Sequence, residues 1–101
     1  MDINVHRGNG GARVTLGGRF DFNSHREFRS ACDTALGDPE VRNIEIDFGR
    51  VDYLDSSALG MLLQLRERAA ESSRPVKLAN CSGIVGDVLK VANFGKLFAI
   101  N

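Results

Sequence analysis

Apolar and polar residues alternate from the start of the chain. Ile3 and Val5 stand between Asp2, Asn4 and His6, the period of two expected of a strand with one buried face. Gly8-Asn9-Gly10-Gly11 is turn-forming, and Ala12, Val14 and Leu16 then alternate with Arg13 and Thr15, so the chain is predicted to open on a β-hairpin. Gly17-Gly18 breaks that pattern. A helical spacing follows. Asn23 or Ser24 is the cap of a helix predicted over Ser24–Leu36, with Phe28, Cys32 (or Ala31), Ala35 and Leu36 on its apolar side. Gly37-Asp38-Pro39 stops it. Asn43–Phe48 alternates again, setting Ile44, Ile46 and Phe48 against Asn43, Glu45 and Asp47. A loop through Arg50 and Asp52 is expected next, leading into a helix that starts at Asp55-Ser56-Ser57 and runs to about Ser72. Beyond Ser72-Ser73-Arg74-Pro75, Val76–Asn80 reads as a strand with Val76 and Leu78 on one face. Ser82 is a candidate cap for a third helix with apolar positions Ile84, Val85, Val88, Leu89 and Val91 or Ala92. Phe94-Gly95 ends it, and Leu97–Ile100 is a last short strand.

The predicted order is ββαβαβαβ, an α/β domain in which an N-terminal hairpin precedes βα units and residues 1–101 form one domain. Right-handed crossovers make the later strands parallel, so the sheet is mixed. Strands covered on both faces read as continuous apolar runs. The first four strands here alternate instead, which predicts helices mainly on one face. The other face is left to water or a partner, with Glu45 and Asp47 exposed on it.

Composition narrows the function. The chain is 43% apolar and 26% charged, and its thirteen basic and thirteen acidic residues cancel. The basic residues are scattered, which argues against a nucleic-acid or anionic-membrane surface, since those partners need clustered positive charge. Cys32, Cys81, His6 and His25 make no metal-ligand spacing and no CxxC pair, so no metal, disulfide or other cofactor is expected. The first residues, MDINVHRGNGG, form no apolar signal region, and no run is long enough to span a membrane, so a cytoplasmic location is expected.

The candidate chemistry sits in VDYLDSSALGMLLQL. A serine or aspartate before an apolar helical run caps the helix, and either Asp55 or Ser56 fits that role. Beyond the cap, Ala58, Met61, Leu62, Leu65 and Ala69 form one stripe, the core side. Ser56, Gly60, Leu63, Gln64 and Glu67 form another. Gly60 is unfavourable inside a helix by about 1 kcal/mol relative to Ala. It removes bulk one turn beyond Ser56, either to let another backbone approach or to pack tightly on the sheet. Ala58, the residue just past the serines, joins Gly60, Leu63 and Gln64 as a partner-binding candidate. The turn is predicted to lie at the carboxyl end of a parallel strand, where open α/β sheets place their crevices. Catalysis is not indicated: Ser56 is not in a GxSxG setting, no histidine is tied to it by a motif, and no GxxxxGK[ST] phosphate loop exists, so the chain is expected not to be an enzyme.

The run IEIDFGRVDYLDSSALGMLLQL resembles the signature of the STAS family, the anti-sigma-factor antagonists, in which a strand leads into Asp-Ser-Ser/Thr-Gly-Leu-Gly and an apolar helix. VTLGGRFDFNS resembles the family's Leu-x-Gly-x-Leu-Asp segment. VKLANCSGIVGDVLKVANFGKLFAI resembles its closing strand, helix and Phe/Leu-rich strand, so the resemblance covers nearly the whole chain. It implies the STAS fold. It also implies a switch in which the unphosphorylated protein binds an anti-sigma factor and the phosphorylated protein releases it, with a GHKL-type serine kinase and a PP2C-type phosphatase as partners. By position, Ser56 matches the phosphorylated serine, Asp55 and Ser57 match its neighbours, and Asp21 matches the acidic residue of the loop near the site. Ala58 stands where Gly is usual. The chain ends at Asn101, just after the last strand, so the terminal helix of many relatives is expected to be short or absent. Two other readings share parts of this pattern. A receiver-like domain with Asp47 as phosphoacceptor and Lys96 as its lysine lacks the acidic pair expected after the first strand. A non-switching STAS accessory subunit of a lipid or anion transporter would share the fold, and the intact Asp55-Ser56-Ser57 tells against it.

Overall fold

The computed structural model describes residues 1–101. Strand β1 (Asp2–Gly8) turns into β2 (Gly11–Phe20), and α1 (His25–Leu36), β3 (Asn43–Leu54), α2 (Ser56–Glu71), β4 (Val76–Ala79), α3 (Gly83–Val91) and β5 (Ala99–Ile100) follow. The hairpin closes on two residues, Asn9 and Gly10, both at positive φ (53° and 80°), as a turn matched to strand twist requires.

The strands lie side by side in sequence order, β1-β2-β3-β4-β5; β1 is antiparallel to β2 and every later pair is parallel. This order explains the one-faced architecture. Right-handed crossovers that always step the same way put α1, α2 and α3 on the same face. The order never reverses, so no switch-point crevice of the doubly wound kind forms. Ala12, Val14, Leu16 and Phe20 of β2, Ile44, Ile46 and Phe48 of β3, and Val76 and Leu78 of β4 form one core. The buried stripes of the helices join it: Phe28, Ala31, Cys32 and Ala35 from α1, Ala58, Met61, Leu62, Leu65 and Ala69 from α2, Val85 and Leu89 from α3. Phe20 packs against Phe28 and Phe48 in tilted pairs, at centroid distances of 4.9 and 6.3 Å.

Several expectations are corrected. Gly17-Gly18 does not end a strand. β2 runs on to Phe20, and β3 runs on to Leu54 where a loop through Arg50 and Asp52 was expected. The two extensions pair with each other, Gly17↔Arg50, Gly18↔Val51, Arg19↔Tyr53 and Phe20↔Leu54, across two register shifts. Each shift inserts one extra residue in β3, and Gly18, at φ +89°, a conformation that favours glycine, stands at the second of them. The last strand is shorter than expected, because the Leu97 and Phe98 N–H groups both donate back to the Phe94 carbonyl at the end of a 3₁₀ turn over Phe94–Lys96, leaving only Ala99–Ile100 to pair. On α3 only Val85 and Leu89 are buried; Ile84 and Val91 face out.

Glu45 and Asp47 lie on the face away from the helices but are half-buried rather than exposed. A same-face neighbour covers them: Arg13 reaches Glu45 (Nε to Oε2, 2.7 Å) and Asp47 (Nη1 to Oδ2, 3.7 Å). Asp47 also accepts from the Asn80 amide at 3.0 Å and the Gly49 N–H at 2.8 Å. Burial alone would push the Asp47 carboxyl up. The hydrogen bonds from Asn80 and Gly49 and the Arg13 charge outweigh it, holding the group below its ordinary value.

Candidate functional site

The extended part of β3 delivers Leu54 to the core and ends at Asp55, whose extended backbone turns the chain into α2. Asp55 is the cap. Its Oδ1 accepts the Ala58 N–H at 3.0 Å, satisfying one of the free donors of the first turn. Ser56 is the first residue inside the helix, is exposed, and its hydroxyl has no protein partner; Ser57 is half-buried and likewise unpaired. Of the two residues that the sequence offered for the cap, Asp55 takes the role and Ser56 does not.

The second oxygen of Asp55 does different work. Oδ2 accepts the N–H of Phe22 at 3.3 Å, and the Asp55 N–H donates to the Phe20 carbonyl at 3.3 Å. These bonds fasten the turn after β2 to the start of α2. That turn, a 3₁₀ turn over Phe22–Ser24, is closed by a reciprocal cap: Asp21 Oδ1 accepts from Asn23 N at 3.0 Å and Ser24 Oγ accepts from Asp21 N at 3.3 Å. Ser24, buried, donates in turn to the Arg19 carbonyl at 3.1 Å. Asn23 or Ser24 was expected to cap α1. Ser24 does stand in the cap position, but its hydroxyl serves the preceding turn. Asp21 thus reaches the neighbourhood of the serines through Phe22, its own carboxylate being occupied by Asn23 and, at 3.7 Å, by Arg19. The Arg19 guanidinium lies 4.0 Å from the centroid of the Tyr53 ring, its cross-strand neighbour.

The partner-facing candidates divide. Ala58 is fully buried, so its side chain is unavailable; its contribution is the amide that binds Asp55. Gly60 and Gln64 are exposed and Leu63 is half-buried. A Cβ added at Gly60 meets no atom within 4 Å, which removes tight packing on the sheet as the reason for this glycine and leaves an open face. Sequence reasoning missed Phe22. Its residue is 72% exposed, whereas the other five phenylalanines are 5% exposed or less. The signal was present in Asp21-Phe22-Asn23-Ser24: a reciprocal cap from the first to the fourth residue leaves the second outside the helix that follows.

No helix is long and apolar enough to cross a membrane. Both cysteines are free; burial pushes the Cys32 thiol up to about 12 and the Cys81 thiol to about 11.

A family model described as "Mlab, STAS domain" matches residues 3–99. A STAS-domain containing protein of Pseudomonas aeruginosa (strain UCBPP-PA14) is 43% identical over 88 residues, 87% of this chain and 85% of that protein. Among solved structures, the anti-sigma factor antagonist SpoIIAA in its unphosphorylated form aligns with a TM-score of 0.78 at 22% identity, covering 99% of this chain and 87% of that one. The phosphorylated form of the Bacillus SpoIIAA aligns at 0.71 with 24% identity, covering 99% and 91%. A sulfate transporter family protein from Wolinella succinogenes aligns at 0.75 with 16% identity, covering 88% of this chain and 71% of that one.

Proposed function

The chain belongs to the STAS domain family, and from that membership we propose that it is a phosphorylation-switched interaction module. It acts as an anti-sigma factor antagonist in the cytoplasm, binding an anti-sigma factor that is itself a GHKL-type serine kinase while Ser56 is unmodified, and releasing it once Ser56 carries a phosphate. The observation that carries this reading is the division of labour at the start of α2: Asp55 caps the helix, so the exposed Ser56 hydroxyl is free, and it stands one turn from the open face at Gly60.

The chemistry is a phosphoryl transfer. The Ser56 oxygen forms a bond to the γ-phosphorus of ATP, the bond from that phosphorus to the bridging oxygen of ADP breaks, and the serine proton passes to a base on the kinase. A PP2C-type phosphatase reverses the state by hydrolysis, water supplying the oxygen that leaves as inorganic phosphate. The phosphate adds about −1.5 to −2 charges at neutral pH. The free N–H groups and dipole of α2 favour an anion there by about 0.3–1 kcal/mol, and the neighbouring Asp55 opposes it, so the fold survives the modification. An interface pressed on the site does not, because it must desolvate a dianion, and each 1.4 kcal/mol of penalty weakens binding about tenfold. SpoIIAA, which shares the fold, exists in unphosphorylated and phosphorylated forms.

The test has two parts. Phosphosite mass spectrometry on the protein from its native cell is expected to find phosphate on Ser56, and modification at Ser57 alone moves the assignment. In titration calorimetry against the co-purified kinase, Ser56→Ala binds as the wild type and Ser56→Asp binds more weakly; equal binding of Ser56→Asp and wild type sinks the switch. The second reading is a non-switching accessory subunit of a lipid or anion transporter. The likeness of fold to the Wolinella protein favours it, and co-purification of a transporter ATPase in place of a kinase would establish it.

A further inference from the structure

Phe22 is out of place by the rule that governs every other phenylalanine in the chain. Phe20, Phe28, Phe48, Phe94 and Phe98 are in the core; Phe22 is 72% exposed, and its backbone N–H is bonded to Asp55, the residue before the free serine. The turn that carries it is strongly held. Asp21 and Ser24 cap each other across it, Ser24 is buried and bonded back to the Arg19 carbonyl, and the Phe22 N–H is bonded to Asp55. Exposed aromatic rings on pinned backbone are what protein interfaces use as anchors, because they supply large apolar area while losing little freedom on binding.

The second half of the observation is the carboxylate that holds this turn. Asp55 precedes Ser56 and uses both oxygens, Oδ1 on the Ala58 N–H and Oδ2 on the Phe22 N–H. Any dianion on Ser56 competes for the same first-turn amides and repels the same carboxylate. When Asp55 moves, Phe22 loses its tie. The switch then does more than place charge under an interface: it loosens the anchor.

We propose that Phe22 is the side chain by which this protein anchors its protein partner in an apolar pocket, and that Asp55 is the positioning residue that ties Phe22 to the state of Ser56. The proposal rests on the switching reading above and names the contact it uses. Asp55 touches no partner in this scheme. It acts through Phe22, and an Asn in its place offers one acceptor oxygen where two are used.

The test has a binding arm and an arm that needs no partner. In the first, the kinase co-purified with the full chain is titrated with wild type, Phe22→Ala, Phe22→Leu and the chain carrying phosphoserine at position 56 by genetic encoding. Phe22→Ala is expected to bind about thirty-fold more weakly or worse, Phe22→Leu to keep part of the affinity, and both to melt like the wild type because the ring packs on nothing in the core. Equal binding of Phe22→Ala and wild type overturns the anchor and leaves the switch standing. Equal binding of wild type and phosphorylated chain overturns the switch and leaves Phe22→Ala to decide the anchor. Recovery of no kinase overturns both. In the second arm, amide NMR of the phosphorylated full chain is expected to show the Phe22 N–H shifted and exchanging faster, with Asp55→Asn reproducing the effect without phosphate. A Phe22 amide unchanged in both overturns the role of Asp55.

Discussion

Asp55 Oδ1 lies 3.0 Å from the amide nitrogen of Ala58, and that single contact takes the cap of α2 away from Ser56. The two adjacent polar residues should therefore differ sharply in stability. Asp55→Ala is expected to cost about 1 kcal/mol, within the usual 0.5–2 for a lost cap, and to lower the melting temperature by about 4–8 °C per kcal/mol. Ser56→Ala should stay within about 0.5 kcal/mol of the wild type. Thermal unfolding of the two variants side by side checks this, and a larger loss for Ser56→Ala would return the cap to the serine.

Gly60 separates stability from function. Its Cβ position is open and its place is inside a helix, so Gly60→Ala should stabilise the fold by up to about 1 kcal/mol. If the face is used by a partner, the same change weakens binding while raising the melting temperature. A variant that gains stability and binds as before shows that the glycine is not there for an interface.

The end of α2 carries a strained residue. Ser73 has φ 57°; the Ser73 N–H donates to the Ala70 carbonyl at 3.1 Å and the Arg74 N–H to the Ala69 carbonyl at 2.9 Å, the pattern of a left-handed helix stop. Glycine adopts that conformation without a Cβ penalty, so Ser73→Gly should gain about 0.5–1 kcal/mol. Arg74 then fastens this stop to α1, donating to the Leu36 carbonyl at 2.7 Å and the Asp38 carbonyl at 2.9 Å. Arg74→Lys should lose about 1 kcal/mol or more in denaturant unfolding, because an ammonium lacks the two-pronged geometry.

Asp47 makes stability depend on pH in the acid range. Its folded value is depressed below the ordinary one, so its contribution is fully present above about pH 4, the unfolded value, and is lost as pH falls through the folded value. Asn80→Ala removes one of the two hydrogen bonds that lower it, and should move the Asp47 titration, followed by carboxyl NMR, upward. Above pH 6 the variant should show no change in Asp47 ionisation.

The thiols should be slow to react in the folded state. With Cys32 pushed to about 12 by burial and Cys81 to about 11, almost no thiolate is present at neutral pH. Labelling by a disulfide reagent at pH 7.5 should be slow for the native chain, Cys81 going before the more buried Cys32, and fast for both in denaturant.

Most elements were legible because each has one wet side. The hairpin, the α1 stripe through Phe28 and Ala35, the alternation of Ile44 and Ile46, and the α2 stripe through Met61 and Leu65 show their periods directly. The pattern failed where a register shift changes its phase. In β3 the buried positions run 44, 46, 48 and then 54, so residues 49–53 look like a loop although Arg50, Val51 and Tyr53 pair with Gly17, Gly18 and Arg19. No periodicity argument recovers a strand whose phase changes twice. The half-burial of Glu45 and Asp47 was also hidden, because Arg13 covers them from a strand more than thirty residues away in sequence.

The sequence by itself determined the element order, the single-sided core, the family and the place of the serines, since all of these are written in local periods, turn residues and a contiguous motif. Only the tertiary structure decided which polar residue caps α2, that Ala58 is closed to a partner, that Gly60 is open, and that Phe22 stands exposed on a turn tied to Asp55. The cap is a contact three residues long, but the Asp55 carboxylate has two oxygens, and the second reaches Phe22 from thirty-three residues away; which donor each oxygen takes is set by how the segments pack.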